Sequence, residues 1–297
     1  MKQFIFILSV VVLIGCAKEK NKSVVNKTEK LSVVTVNYPL FYFAERIGGD
    51  LFNIEYPVPS GVDPAYWQPD ETALELYQNA DLILANGVGY AKWMENVSLP
   101  SSRIINTSDA FEEAHIQLTS GTTHSHGPEG EHEHAAYAFT TWLDLDLALQ
   151  QAAAIKSAFV KKRPEQTKQI DSAFDELKSD LMGLKNGMTE VTAAYKEEVM
   201  IASHPVYQYF SRANSLDLKS VHFEPNVFPS GKQWKELDAL IEVNGCEFMI
   251  WEDVPMAEIE EALTERNISI IVLRPCGNSP VNGDFLSVMQ ENVNNFK

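Results

Sequence analysis

Three cysteines, Cys16, Cys246 and Cys276, are all that this chain of 297 residues carries, and no two form a Cys-x-x-Cys pair. A dithiol redox centre is therefore excluded. Positive charge is scarce too: 24 Lys and Arg stand against 41 Asp and Glu, for a net charge of -17. A phosphate backbone needs a basic face, so nucleic acid is excluded as a partner. An acidic surface serves solubility first and mildly favours cations. The common catalytic signatures are missing: there is no GxSxG, no P-loop and no HExxH, and His204 has no nucleophile beside it in the sequence. A binding protein is expected rather than an enzyme. The only long apolar run is residues 4–14, broken by Ser9 and too brief to span a bilayer.

That short run follows Met1-Lys2-Gln3 and ends in Leu13-Ile14-Gly15-Cys16. Residues 1–15 read as a secretory signal peptide. The Leu-x-Gly-Cys ending resembles the bacterial lipobox, which implies cleavage before Cys16 and lipid on its thiol and new amino group. Residues 16–30 are polar, Lys-rich and patternless, and read as a flexible tether. An extracytoplasmic, lipid-anchored protein on the periplasmic or cell-surface side of a bacterial membrane is expected. Cys246 and Cys276 fall just before one parallel strand and just after the next, at opposite ends of a sheet. They would stand about 17–20 Å apart, too far for a disulfide.

From residue 31 onward, short β-branched runs alternate with helical patterns, which predicts α/β architecture with parallel sheets. Strands are expected at 31–37, 52–58, 80–85 and 103–106, with a helix from Pro39, one from Asp70 and a short one over 90–96. Asp144 can cap a helix carrying Leu145, Ala148, Ala152, Ile155 and Phe159 on one face. Ile170, Phe174, Leu177, Leu181, Leu184, Met188, Val191 and Tyr195 then recur at alternating steps of four and three, a period that only a long helix can use. A second set of strands follows, ending at His204, His222, Glu252 and Arg274. Two parallel-sheet α/β lobes, 31–163 and 196–297, joined by one long linking helix over 164–195, are the expected organisation. Open sheets of this kind bind ligands beyond the carboxyl ends of their strands. A cleft lined by Asn37, Asp63, Ala65, Asn86, His204, Glu224, Glu252 and Arg274 is predicted.

Four of the seven histidines, His124, His126, His132 and His134, lie together within a loop at 122–134. Imidazole is the commonest protein ligand for zinc and its neighbours. Gly127, Pro128 and Gly130 interrupt the stretch, so neither helix nor strand is expected there. His115 and His222 are isolated in the sequence and read as structural.

Several segments resemble the zinc and manganese substrate-binding lipoproteins of ABC importers, the ZnuA/TroA-like family. They are Gly48-Gly49-Asp50, Pro59-Ser60-Gly61-Val62-Asp63-Pro64, Ala80-Asp81-Leu82, Asn86-Gly87, the His-rich insertion, Trp142-Leu143-Asp144, Ser203-His204-Pro205, Glu224-Pro225 and Glu252. The resemblance implies a monomer that captures Zn2+ or Mn2+ and presents it to an ABC permease and its ATPase. It also implies four side-chain ligands, of which this chain keeps one. Ala65, Thr140 and Arg274 stand where the family places the first, second and fourth, and His204 stands at the third. One imidazole cannot make a tetrahedral site. Three readings follow. The loop histidines, with His204 and Glu252, hold a divalent metal; or the cleft takes a different small solute or a metal complex, with Arg274 facing Glu252 or Glu224; or the fold serves as a surface adhesin without metal transport.

Overall fold

Leu31–Thr35 (β1) is an apolar, β-branched run whose Val33, Val34 and Thr35 are fully buried. It is flanked on both edges by parallel partners, Phe52–Glu55 (β2) and Leu82–Ala85 (β3), and Ile104–Asn106 (β4) pairs with β3. Buried parallel strands read as continuous apolar runs, which is how these are written. Between β1 and β2, Asn37 caps Tyr38–Gly48 (α1), its side-chain oxygen accepting the Leu40 N–H at 3.1 Å. Pro39 sits in the first turn, where no helical N–H is needed. Asp70 caps Glu71–Asn79 (α2) in the same way. The computed structural model describes residues 30–118 and 137–297, together with the backbone of 124–125 and 131–132. Cys16, where lipidation is expected, and the loop histidines His126 and His134 lie outside the described residues.

The backbone of His124–Ser125 (β5) pairs antiparallel with Glu131–His132 (β6), His124 opposite His132. This corrects the expectation of neither helix nor strand for those four residues, while Gly127, Pro128 and Gly130 lie outside the described residues. Residues Lys92–Asn96 form a 3-10 helix entered through Ala91 in the left-handed region.

Leu145–Lys162 (α3) starts at Asp144, whose carboxylate accepts the N–H groups of Asp146 and Leu147. Thr167–Thr192 (α4) has 26 residues and spans about 39 Å at 1.5 Å each. Ile170, Leu177, Leu181, Leu184 and Met188 are its buried stripe, and it packs on α1, α3 and the closing helix Phe285–Asn295 (α8). Gly187 faces α8, where a Cβ would make an ordinary 3.4 Å contact with Val293 Cγ1. Among the described residues, no helix is long and apolar enough to cross a membrane.

The second sheet holds Val199–Ala202 (β7), Asp217–Ser220 (β8), Phe248–Trp251 (β9) and Ser269–Val272 (β10), all parallel. Its helices are Gln208–Asn214 (α5), Gly231–Asn244 (α6) and Ala257–Thr264 (α7). Alternate residues of β7 face different cores. Met200 and Ala202 join the large cluster that runs through both sheets, while Ile201 joins a smaller one under Trp234 and Trp251. The two lobes thus share one apolar core. Polar ties add to it: Trp142 Nε1 donates to the Pro275 carbonyl at 2.7 Å, and Asn278 Nδ2 donates to the carbonyls of Pro59 and Val62.

Candidate metal centre

The strand orders are β2-β1-β3-β4 and β10-β9-β7-β8. In each sheet the chain steps to one side of its first strand and then crosses to the other. That creates a switch point between β1 and β3, and another between β7 and β9. Crevices open at such points beyond the carboxyl ends of the strands.

The two switch points are filled differently. After β1 and β3 stand Asn37 and Asn86, both fully buried, with Asn37 Nδ2 donating to Asn86 Oδ1 at 3.2 Å. Gln151 from α3 donates to the same oxygen at 3.1 Å, and Asn86 Nδ2 donates to the Phe139 carbonyl at 2.9 Å. Asn37 and Asn86 therefore seal the first crevice rather than lining a cleft, which corrects the sequence-based expectation. Their short amides satisfy each other within the buried site.

After β7 and β9 stand His204 and Glu252, and after β8, on the far side of β7, stands Glu224. One donor atom from each lies within 4.8 Å of the others. His204 is only 8% exposed, and its Nδ1 is 3.8 Å from Glu224 Oε1; the two glutamates are half-buried. Donors on one tetrahedral zinc, at about 2.1 Å each, are about 3.4 Å apart. Contraction by roughly an ångström, within reach of glutamate torsions, would bring all three onto one ion. Their carriers are fixed. Beyond the strand ends, Ser203 N–H still donates to Ile250 O and Phe223 N–H to Ser203 O, each at 2.8 Å, and Met256 N–H donates to Pro225 O at 3.0 Å. Tyr207, fully buried, has its phenol pushed well up by burial and then by the Glu252 charge, and it stays neutral.

The first sheet contributes no such donor at the family positions. Ala65 is buried, its N–H held by Asp63 Oδ1 at 2.9 Å. The Thr140 hydroxyl donates to the Val206 carbonyl, just past His204, tying the lobes together. Nearby phenols are not anionic: burial raises Tyr66 to about 12 and Tyr90 well above its ordinary value. Arg274 makes its close ion pairs with other acids than the two expected. Its guanidinium pairs with Asp253 and Glu291, each at 3.0 Å, because Asp253 emerges beside it from β9 and Glu291 comes up from α8. Its charge is thereby offset outside the cluster. His222 is not isolated either: its ring packs edge-on against that of His204, 5.5 Å between centroids. His115 Nε2 lies 3.2 Å from the Ser108 carbonyl, a structural contact as expected. Cys246 and Cys276 are free thiols.

Two parallel-sheet α/β lobes, a long helix along both, and candidate donors gathered at a switch point define a helix-bridged, two-lobed α/β architecture. The family model described as zinc-uptake complex component A, periplasmic (ZnuA), matches residues 33–297, and the chain belongs to that family. It is 20% identical over 303 residues to the zinc-binding lipoprotein AdcA of Streptococcus pneumoniae, covering 96% of this chain but only 58% of AdcA. It is 24% identical over 273 residues to the high-affinity zinc uptake system protein ZnuA of Bacillus subtilis, covering 88% and 83% of the two chains. The crystal structure of the zinc-bound ZnuA-like domain of AdcA superposes with a TM-score of 0.75 at 18% identity, over 90% of this chain and 97% of that one.

Proposed function

We propose that this protein captures a divalent cation outside the cytoplasm for a zinc-type ABC importer. The cation is held at His204, Glu224 and Glu252 and passed to a permease driven by its ATPase. The observation that carries the reading is the convergence of an imidazole and two carboxylates, from three strand ends, at the switch point of the second sheet. Two carboxylates balance a dipositive ion, and the mixed nitrogen and oxygen set suits zinc or manganese. Zinc binds tighter than manganese at such a set by the general order of divalent affinities. The names of the relatives agree: AdcA and ZnuA are zinc proteins, and a relative in Halalkalibacterium halodurans is a manganese-binding lipoprotein. The four loop histidines, on composition alone, act as an exchangeable collector for the same metal. Lipid on Cys16 holds the monomer at the membrane. The role is capture without turnover.

Calorimetric titration of the mature chain with zinc and with manganese tests this. One tight zinc site is expected, weakened in both His204→Ala and Glu224→Gln. Undiminished tight binding in both variants would overturn the assignment.

A further inference from the structure

We propose that His222 is a fourth protein donor at this centre, so that the cation is held by two imidazoles and two carboxylates supplied entirely by the second lobe. The proposal rests on the metal-capture reading and adds the side chain that closes the coordination sphere. His222 and Glu224 are two residues apart in the segment that continues β8. There, Val221 N–H donates to Ala202 O and Phe223 N–H to Ser203 O, which keeps the segment alongside β7, and buried Val221 and Phe223 alternate with His222 and Glu224. Residues two apart in extended chain project from the same face. That face looks onto His204, whose ring stands at 81° to the His222 ring with 5.5 Å between centroids.

The spacing fits shared coordination. An imidazole nitrogen sits about 2.1 Å from zinc and its ring centre about 1.1 Å further along the same line. At a tetrahedral angle, two such rings have centres about 5.2 Å apart. The observed separation differs from that by a few tenths of an ångström. The His222 nitrogens stand outside the group of three donors that lie within 4.8 Å of one another, so the ring must turn about its Cβ–Cγ bond when metal arrives. Its backbone is a fixed pivot for that turn, because Gln233 Nε2 from α6 donates to the His222 carbonyl. At the family positions of the first lobe nothing comparable stands: the Thr140 hydroxyl is bonded to Val206 O, and Ala65 ends in a methyl. Coordination from one lobe leaves cation affinity independent of contacts across the cleft.

The test uses the full mature chain carrying H124Q/H126Q/H132Q/H134Q, which leaves three histidines, His115, His204 and His222. Zinc competition against a chelator and the visible spectrum with one equivalent of cobalt(II) are read together. In H222Q, affinity should fall at least about 100-fold, and the intense bands of four-coordinate cobalt should give way to the weak bands of a six-coordinate, water-filled ion. T140A should change neither. Histidine-selective 15N spectra of the protein with His222 intact supply a readout independent of any folding defect in H222Q: two of the three imidazoles should shift with one equivalent of zinc. A single shifted imidazole, or H222Q with unchanged affinity and spectrum while H204A loses both, would overturn the role of His222 and leave the capture reading standing. No binding by the parent protein would overturn both.

Discussion

Replacing Asn86 by alanine should cost this protein a large part of its stability, although the residue touches no proposed donor. Asn86 is fully buried; besides a 3.4 Å contact from its Nδ2 to the adjacent Gly87 carbonyl, it carries four contacts. Its Oδ1 accepts from Asn37 at 3.2 Å, from Gln151 at 3.1 Å and, more weakly, from Thr141 at 3.5 Å, while its Nδ2 donates to the Phe139 carbonyl at 2.9 Å. Gln151 keeps a second partner in the Thr107 hydroxyl at 2.9 Å. The Asn37 amide and the Phe139 carbonyl are the groups stripped. A buried polar group left without its partner costs about 1–3 kcal/mol. Two of them, with a small cavity added, put the loss at about 3–5 kcal/mol, a large share of the usual 5–15 kcal/mol. For a chain of this size that lowers Tm by about 5–8 °C. Thermal unfolding followed by circular dichroism reads the change. Asn86→Asp should be no better, since a carboxylate cannot donate to Phe139 O and its charge would be buried. A loss under about 1 kcal/mol in Asn86→Ala would refute the claim that this amide seals the first switch point.

Other consequences are open to simple assays. Trp142→Phe removes the Nε1 donor to Pro275 O and should lower the urea midpoint by the equivalent of about 1–2 kcal/mol. Cys276, pushed up to about 12 by burial and then by the Asp284 charge, should react slowly with iodoacetamide at pH 8 in the native state, and both Cys246 and Cys276 should react fully once the protein is denatured. Burial raises the Asp284 carboxyl, but hydrogen bonds from the Ser287 N–H and hydroxyl and from Tyr42, with the Arg46 charge, outweigh it and leave the group below its ordinary value. Its folded value being depressed, the stability it contributes is present above the unfolded value and lost as pH falls through the folded one. The stability gap between the natural protein and Asp284→Asn should therefore hold near neutral pH and close below about pH 4.

The alternation of strands and helices was legible because each element carries its own period: the β-branched run at β1, the stepped stripe from Ile170 to Met188, and the caps at Asp70 and Asp144. Strand ends were legible too, so His204 and Glu252 could be placed at the mouth of the second sheet. Strand order was not. Only with β8 on the far side of β7 does Glu224 fall beside His204, and the Glu-Pro step after β8 was the signal that pointed to it as more than a lining residue. His222 looked isolated for the same reason, because its neighbour in space is eighteen positions away in sequence. Arg274 was read by its place beside Pro275, whereas its partners come from one residue past Glu252 and from a helix that follows it. At the first sheet, the same strand-end logic that located the donors also named Asn37 and Asn86, and only side-chain geometry shows that these two close a crevice instead of opening one.

The most direct measurement is anomalous diffraction at the zinc edge from crystals of the zinc-loaded protein. The account predicts one strong peak beyond the ends of β7, β8 and β9, about 2.0–2.2 Å from a nitrogen of His204 and from carboxylate oxygens of Glu224 and Glu252. A strong peak elsewhere, with those three side chains still arranged as they are without metal, would contradict it.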